Sequence, residues 1–138
     1  MARFGLFRFA AAAYALPLLQ LRKIVHQWPG YRLPLLPATV SEVLVEGDRL
    51  IPLVNLPCVS GVDLPVIRNA EYKVLAESEA GVVAFPADVT CGIVAEQKGE
   101  LSAVVNGAAG TNGIFKYQGQ EYHILDIDFL ALRVVQGS

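Results

Sequence analysis

The chain has 138 residues, of which 54% are hydrophobic and only 17% are charged. Its formal net charge is −2, and its eleven lysine and arginine residues are scattered, which excludes the concentrated basic face that nucleic-acid binding requires. Two cysteines, Cys58 and Cys91, are too few for a disulfide framework or a metal-ligand pattern. The length predicts one domain with a substantial core.

The N-terminal segment has two interpretations. Arg3 and Arg8 precede an apolar run over residues 9–19, which has the order of parts found in a secretory signal. The run is too short to cross a bilayer, and no small-residue cleavage site follows it at the expected distance. The alternative is a pair of strands, residues 4–9 and 14–19, joined by an alanine-rich turn. We favour the strands.

From residue 18 onward, short apolar segments alternate with turn residues. Residues 18–26 fit either a helical turn or a strand, and Gly47-Asp48 is a frequent hairpin turn. Gly92 interrupts an apolar strand, which indicates a bulge or a close backbone approach. The strands expected between residues 40 and 105 are 43–45, 50–56, 72–76, 81–87, 89–94 and the short piece 101–105.

The C-terminal third contains a glycine-rich segment and a final hairpin. Residues 106–113 resemble a phosphate-binding loop only superficially, because Ile114 and Phe115 follow where such a loop needs Lys and Ser or Thr. A hairpin is expected over residues 114–127, and residues 129–135 fit a closing strand or a short helix. Nine or ten short strands with little helix predict an all-β barrel or sandwich.

Catalytic side chains are few and poorly placed for catalysis. Cys91, His123 and Asp126 have the chemistry of a nucleophile, a base and an orienting carboxylate. Asp126 stands three residues after His123, so strand alternation would point the two to opposite faces. Neither Cys91 nor Cys58 lies at a helix N-terminus that would activate a thiol. We expect Cys91 to be a small core residue, His123 to face solvent, and Asp126 to satisfy backbone N–H groups at a strand end.

Four short motifs follow one another in order over nearly the whole chain. They are Phe4-Gly5-Leu6-Phe7 with Tyr14-Ala15-Leu16-Pro17-Leu18, then Gly47-Asp48-Arg49-Leu50-Ile51-Pro52-Leu53-Val54-Asn55-Leu56, then Ala84-Phe85-Pro86-Ala87-Asp88-Val89-Thr90-Cys91-Gly92-Ile93, and finally residues 119–128 with Ile124-Leu125-Asp126-Ile127-Asp128. Each motif alone is weak. Together they resemble the chemotaxis coupling-protein family, the CheW-like domain.

This resemblance implies an all-β fold of two intertwined small five-stranded β-barrel subdomains, SH3-like, with little helix. Residues 1–138 would form a single CheW-like domain. The first barrel would cover roughly residues 15–67 and the second roughly 68–125, with the termini completing both. Residues 1–19 would then belong to the fold and not to a signal.

The resemblance also implies a function without catalysis, cofactor or metal. Family members are adaptors that join the cytoplasmic tips of chemoreceptors, the methyl-accepting chemotaxis proteins, to the regulatory domain of a CheA-type sensor histidine kinase. We expect a cytoplasmic protein that reaches membrane receptor arrays only through these partners, with no nucleic acid and no direct membrane insertion. The receptor-binding residues implied are Leu21, Lys23, Gly47, Asp48, Arg49 and Tyr72.

The charges of this implied groove differ from the usual family pattern. The hairpin lacks the family arginine, for which Arg49 is the nearest substitute, and Lys23 stands at a typically acidic position. Such changes alter partner choice more than fold. We expect a charge at Leu21 or Tyr72 to abolish binding and leave the fold intact.

Two alternatives to the adaptor remain. A divergent regulator with the same fold would compete for the kinase or the receptor without supporting activation. A thiol or hydrolytic enzyme would use Cys91 or Cys58, and its thiol would react rapidly with iodoacetamide at neutral pH.

Overall fold

The computed structural model describes residues 2–9, 12–55, 70–103 and 110–136. Cys58 and residues 106–109 of the glycine-rich segment lie outside these ranges. The strands are β1 (Arg3–Phe9), β2 (Ala12–Pro17), β3 (Leu21–His26), β4 (Gly30–Tyr31), β5 (Val40–Glu46), β6 (Arg49–Val54), β7 (Tyr72–Ser78), β8 (Gly81–Ala87), β9 (Val89–Ala95), β10 (Glu100–Ser102), β11 (Thr111–Tyr117) and β12 (Gln120–Leu125). One helix, α1 (Ile127–Gln136), and two 3-10 turns, Leu18–Gln20 and Glu96–Lys98, complete the described elements.

The strands pair into two six-stranded sheets. Sheet A has the order β10-β11-β12-β2-β1-β9, and sheet B has the order β3-β7-β8-β6-β5-β4. Neighbours are antiparallel except for β12 with β2 and β6 with β8. Each sheet contains five strands of six or seven residues and one short edge strand, which is β10 with three residues or β4 with two. The predicted all-β fold of two small subdomains with little helix is confirmed, with a short sixth strand added to each.

The chain enters sheet A, passes through sheet B and returns to sheet A. Strands β1 and β2 belong to sheet A, β3 to β8 to sheet B, and β9 to β12 to sheet A again. The change of sheet therefore falls after Pro17 and after Ala87. The physical reason is that β1 pairs with β9 and β2 with β12, two pairings between distant segments that no local sequence pattern reveals.

The N-terminal apolar run forms the two strands that we favoured. Strands β1 and β2 pair from Phe4 with Pro17 to Phe9 with Ala12. Both strands lie in the middle of sheet A, since β1 also pairs with β9 and β2 with β12. The ambiguous residues 18–26 contain both expected structures, first a 3-10 turn and then β3.

A central hydrophobic cluster joins the two sheets and the helix. Helix α1 contributes its buried side chains at positions i, i+3, i+4 and i+7, the spacing of one helix face. The residues of this cluster that lie on strands include Phe7, Tyr14 and Leu16 of sheet A and Val43, Val54, Val74 and Phe85 of sheet B. Two smaller clusters are separate from it, one within sheet A around Leu6 and Phe115 and one within sheet B around Leu44 and Leu75.

Tyr14 adds a polar link between the sheets. Its hydroxyl donates a hydrogen bond of 2.7 Å to the carbonyl of Pro86 on β8, and the side chain is buried. The pKa of this phenol is raised well above its usual value, first by burial and then by the nearby charge of Asp88. The Tyr14 side chain therefore stays neutral and can donate.

Helix α1 begins with a side-chain cap. The Asp126 carboxylate accepts a hydrogen bond of 3.2 Å from the backbone N–H of Phe129, so Asp126 satisfies a backbone N–H group as expected, here at the start of the helix that follows β12. The Asp128 carboxylate accepts one of 3.0 Å from the backbone N–H of Glu79 in the β7–β8 turn. Both carboxylates of this pair thus hold the helix in place.

Candidate interaction surface

Strand β3 carries two of the expected binding residues, and they lie in different environments. Leu21 is partly buried and packs against the central cluster. Lys23 is exposed, and its ammonium group contacts the Glu46 carboxylate and lies 5.2 Å from the centre of the Trp28 ring. A bulge at Arg22 separates the two, because Leu21 pairs with Ala76 while Lys23 pairs with the adjacent Leu75. Lys23 is therefore part of the accessible surface, and Leu21 is mainly a packing residue.

The β5–β6 hairpin brings three more expected residues beside Lys23. Gly47 and Asp48 form its turn, and Gly47 has a φ of +63°, which favours glycine. Arg49 is exposed and pairs in register with Glu46. Since Lys23 contacts Glu46, the structure places Lys23, Gly47, Asp48 and Arg49 in one region.

Tyr72 lies apart from this region. It pairs with His26 at the far end of β3, with the two ring centres 4.9 Å apart, and it packs against the central cluster. Ala76, the partner of Leu21, stands four positions after Tyr72 on β7, which corresponds to about 13 Å along the strand. Both side chains pack against the central cluster, so a charge at either position would affect that packing as well as any binding, and retention of the fold in such variants stays a prediction.

Positive charges surround Glu46. Its pKa is lowered, chiefly by the hydrogen bond from Lys23; desolvation opposes this, and the positive charges of Lys23, Arg22 and Arg49 lower the pKa further. Glu46 is therefore ionised and paired. Arg22 and Arg49 are both exposed.

Three exposed aliphatic side chains lie next to this charged group. Val45 and Leu50 are directly opposite each other in the hairpin, and they are 40% and 65% exposed. Ile24, which follows Lys23, is 40% exposed. Successive strand residues alternate in direction, so Ile24 and Val45 both point away from the face on which Lys23 meets Glu46. We call Ile24, Val45 and Leu50 the aliphatic row.

The aliphatic row was not identified from the sequence. Residues 43–45 read as a continuous apolar stretch, and Val43 and Leu44 are indeed buried while Val45 is exposed. A continuous stretch gives no alternation that would reveal which member faces solvent. Trp28 also belongs to this region, because its ring lies 5.2 Å from the ammonium group of Lys23 and its carbonyl accepts a hydrogen bond from Lys73.

The residues considered for catalysis do not form a catalytic arrangement in the described part of the chain. Cys91 lies in the bulge of β9 beside Gly92, where the register shifts against β1, and the predicted bulge is thus confirmed. The Cys91 thiol hydrogen bonds to Tyr122, which contributes, after burial, to the raised pKa of that phenol. His123 follows Tyr122 on β12 and so points to the opposite face. Asp126 serves as the helix cap.

Neither a metal-binding cluster nor a membrane-spanning helix is found among the described residues. Within residues 2–9, 12–55, 70–103 and 110–136, no group of three or more His, Cys, Asp and Glu side chains could hold a metal ion. None of the helices in these ranges is long and apolar enough to span a membrane.

The fold and this surface define a class of protein, a domain of two β-sheets with exposed aliphatic side chains beside a charged hairpin. The sequence model of the CheW-like domain matches residues 3–134, and the chain therefore belongs to the CheW-like family. Among solved structures, the fold is similar to that of the scaffolding protein TtCheW from Thermoanaerobacter tengcongensis, with a TM-score of 0.75 and 16% identity, over 94% of this chain and 91% of that one. The comparison with curated proteins gives no match. Family membership supports a scaffold or adaptor role in chemotaxis.

Proposed function

We propose that this protein is a non-catalytic adaptor that couples chemoreceptor tips to a CheA-type sensor histidine kinase in a chemosensory array. The observation that carries the proposal is the aliphatic row of Ile24, Val45 and Leu50, exposed beside a charged hairpin in a domain of the CheW-like family. Exposed aliphatic groups rimmed by charges are typical of a protein-binding surface. The protein would act at the cytoplasmic face of the membrane, held there by its partners.

The receptor tip would bind at the aliphatic row and the adjoining turn Gly47-Asp48-Arg49, whereas Lys23 would hold Glu46 on the opposite face of the strands. An amphipathic helix can cover such a row with its apolar side. Leu21 and Tyr72 would support this surface from below, because both pack against the central cluster. Leu21 and Tyr72 would therefore hold the binding surface in place without contacting the receptor themselves.

The kinase would bind at a second surface, on sheet A. Among the described strands, β9 is an outer strand of that sheet and pairs with β1, and two of its aliphatic side chains, Val89 and Ile93, are 40% and 57% exposed. Ile93 lies opposite Gly5 in β1, and because glycine has no side chain, this neighbour leaves Ile93 uncovered. Placing the two partners on different sheets lets one adaptor hold both at once.

A crossed pair of substitutions tests this assignment. Leu50→Glu places a charge in the aliphatic row, and Ile93→Glu places the same charge on β9. Calorimetry would measure binding of each variant to a receptor-tip hairpin and to a kinase regulatory domain. Burying one aliphatic side chain is worth about 1.5–3 kcal/mol, so each variant should weaken its own partner about 10- to 100-fold.

Each substitution also serves as the matched control for the other. We expect Leu50→Glu to retain kinase binding and Ile93→Glu to retain receptor binding. If either variant weakens both partners equally, the separate surfaces are refuted. If the wild-type protein binds neither partner at micromolar concentration, the adaptor function is refuted.

A second candidate function, a regulator that competes for the kinase or receptor, is favoured by one contact. Lys23 is engaged with Glu46 and the Trp28 ring, so the charges of the groove are partly occupied by each other. Reconstituted kinase assays with receptor and a standard coupling protein distinguish the two candidates. An adaptor raises kinase activity when it replaces the standard coupling protein. A competitor lowers kinase activity when it is added to an assay that already contains the standard coupling protein.

A further inference from the structure

Helix α1 continues directly from sheet A but packs on sheet B. Only Asp126 lies between Leu125, the last residue of β12, and Ile127, the first residue of the helix. The helix then lies against β6, β7 and β8, all of them strands of sheet B. We propose that α1 is a strap that holds the two sheets at one relative orientation, and that its release lets the sheets move relative to each other as two bodies.

The strap is anchored to sheet A at its N-terminal end. Leu125, at the end of β12, is buried in the central cluster. The backbone N–H of Asp126 donates a hydrogen bond of 2.8 Å to the carbonyl of Gly110, the residue before β11. The Asp126 carboxylate accepts the hydrogen bond from Phe129 that caps the helix. The single linking residue is thus held on both sides, and the start of α1 moves with sheet A.

The strap is attached to sheet B by packing and by one carboxylate. Its side chains that are buried in the central cluster are Ile127, Leu130, Ala131 and Val134. The Asp128 carboxylate accepts a hydrogen bond of 3.0 Å from the backbone N–H of Glu79 and one of 3.4 Å from the side chain of Gln20. Gln20 lies in the turn that leads from sheet A to sheet B, and it also donates to the Glu77 carbonyl at 3.4 Å. Asp128 therefore joins α1, this crossover and sheet B at one point.

The other links between the sheets leave one movement open. The chain crosses between them after Pro17 and after Ala87, and in the described part of the chain no strand of one sheet pairs with a strand of the other. Two crossovers define a hinge axis, and apolar packing between the sheets is non-directional, so small sliding or tilting movements remain possible. The ten residues of α1 extend about 15 Å, which carries its packing away from the crossover at Gln20. This third attachment fixes the angle between the sheets.

Two neighbouring residues of α1 provide a matched test in the full-length protein. Ala131→Glu places a charge on the buried side of the helix and should unseat it, whereas Leu132→Glu places the same charge where the side chain is 49% exposed. Nitroxide labels at Thr90 of sheet A and Arg49 of sheet B, both exposed, report the distance between the sheets by pulsed electron–electron double resonance. A second label pair, Thr90 with Gln120, reports a distance within sheet A. The labels are attached through an introduced ketone side chain, which leaves both cysteines in place.

Release of the strap should change the distance between the sheets and leave the distance within sheet A as it is. We expect the inter-sheet distance distribution of Ala131→Glu to be about twofold broader than that of the wild type, because sheets hinged at two crossovers are no longer held at one angle. Leu132→Glu should give the wild-type distribution. An inter-sheet distribution in Ala131→Glu as narrow as that in Leu132→Glu overturns the strap, as does equal broadening of both distances in a folded protein.

A milder variant decides the question if Ala131→Glu loses the Trp28 fluorescence of the folded protein. Asp128→Ala removes the acceptor for Glu79 and Gln20 but leaves the buried side chains of α1 unchanged. Asp48→Ala removes the same charge from the exposed β5–β6 turn and serves as its control. Broadening of the inter-sheet distribution in Asp128→Ala alone supports the strap, and identical distributions in the two variants overturn it. No partner takes part in these measurements, so their result is independent of the adaptor function.

Discussion

Replacing Tyr14 by phenylalanine removes one hydroxyl group and keeps the ring. The hydroxyl donates to the Pro86 carbonyl at 2.7 Å, and this bond joins β2 of sheet A to β8 of sheet B. The ring also contacts Phe7, with 5.5 Å between ring centres, and Phe85, with 6.4 Å. Those contacts are preserved in Tyr14→Phe, so the variant isolates the hydrogen bond.

The expected cost is set by burial. Tyr14 is 2% exposed, so water cannot replace the lost donor at the Pro86 carbonyl. Removing one partner of a buried hydrogen bond costs about 1–3 kcal/mol. For a chain of this length that corresponds to a fall in Tm of about 3–10 °C, since the unfolding entropy is roughly 0.3 kcal/mol per kelvin.

Urea denaturation followed by the fluorescence of Trp28, the single tryptophan, measures the loss of unfolding free energy. Tyr31→Phe is the matched control, because Tyr31 is 53% exposed and its substitution should change stability by less than about 0.5 kcal/mol. A Tyr14→Phe protein as stable as the Tyr31→Phe protein would refute the argument that this hydroxyl links the sheets.

Three further predictions concern pH, a close glycine contact and the helix cap. The pKa of Tyr14 is raised in the folded protein, so its contribution to stability is present below about pH 10 and is lost as pH rises further. The difference in unfolding free energy between wild type and Tyr14→Phe should therefore narrow above about pH 10. A difference that stays constant with pH contradicts this prediction. Gly99→Ala would place a methyl group 2.5 Å from the Lys116 carbonyl oxygen and 2.6 Å from the Phe115 ring, and urea denaturation should show a loss of about 1–3 kcal/mol; wild-type stability would contradict the close approach of these strands. Asp126→Ala should lower stability by about 0.5–2 kcal/mol in the same assay because it removes the cap of α1, whereas Asp126→Asn, which keeps an acceptor oxygen, should cost less; equal losses would argue against capping.

Local signals were enough to predict the hairpins. The pair Gly47-Asp48 marks the β5–β6 turn, and Gly92, with a φ of +102°, marks the bulge in β9. Both features depend on a backbone conformation that glycine adopts without strain, so a single residue type reveals them. The assignment of strands to sheets depends instead on parallel pairing of β2 with β12 and of β6 with β8, which involves distant segments.

The surface could be predicted only in part for a related reason. Lys23 and the turn residues were identified through resemblance to a family, and the structure brings them together. Leu21 and Tyr72 came from the same resemblance, but their burial against the central cluster depends on how both sheets and α1 meet. The aliphatic row depends on which of several consecutive apolar residues faces solvent, and that is decided by the register of the sheet.

Simultaneous binding of both partners tests the adaptor function most directly. Calorimetry would measure the affinity of the protein for a kinase regulatory domain, first alone and then with a receptor-tip hairpin present at a saturating concentration. The adaptor account predicts micromolar binding in both titrations, with affinities within about threefold of each other, because the two surfaces lie on different sheets. Loss of kinase binding in the presence of the receptor tip would contradict the adaptor account and identify a competitor.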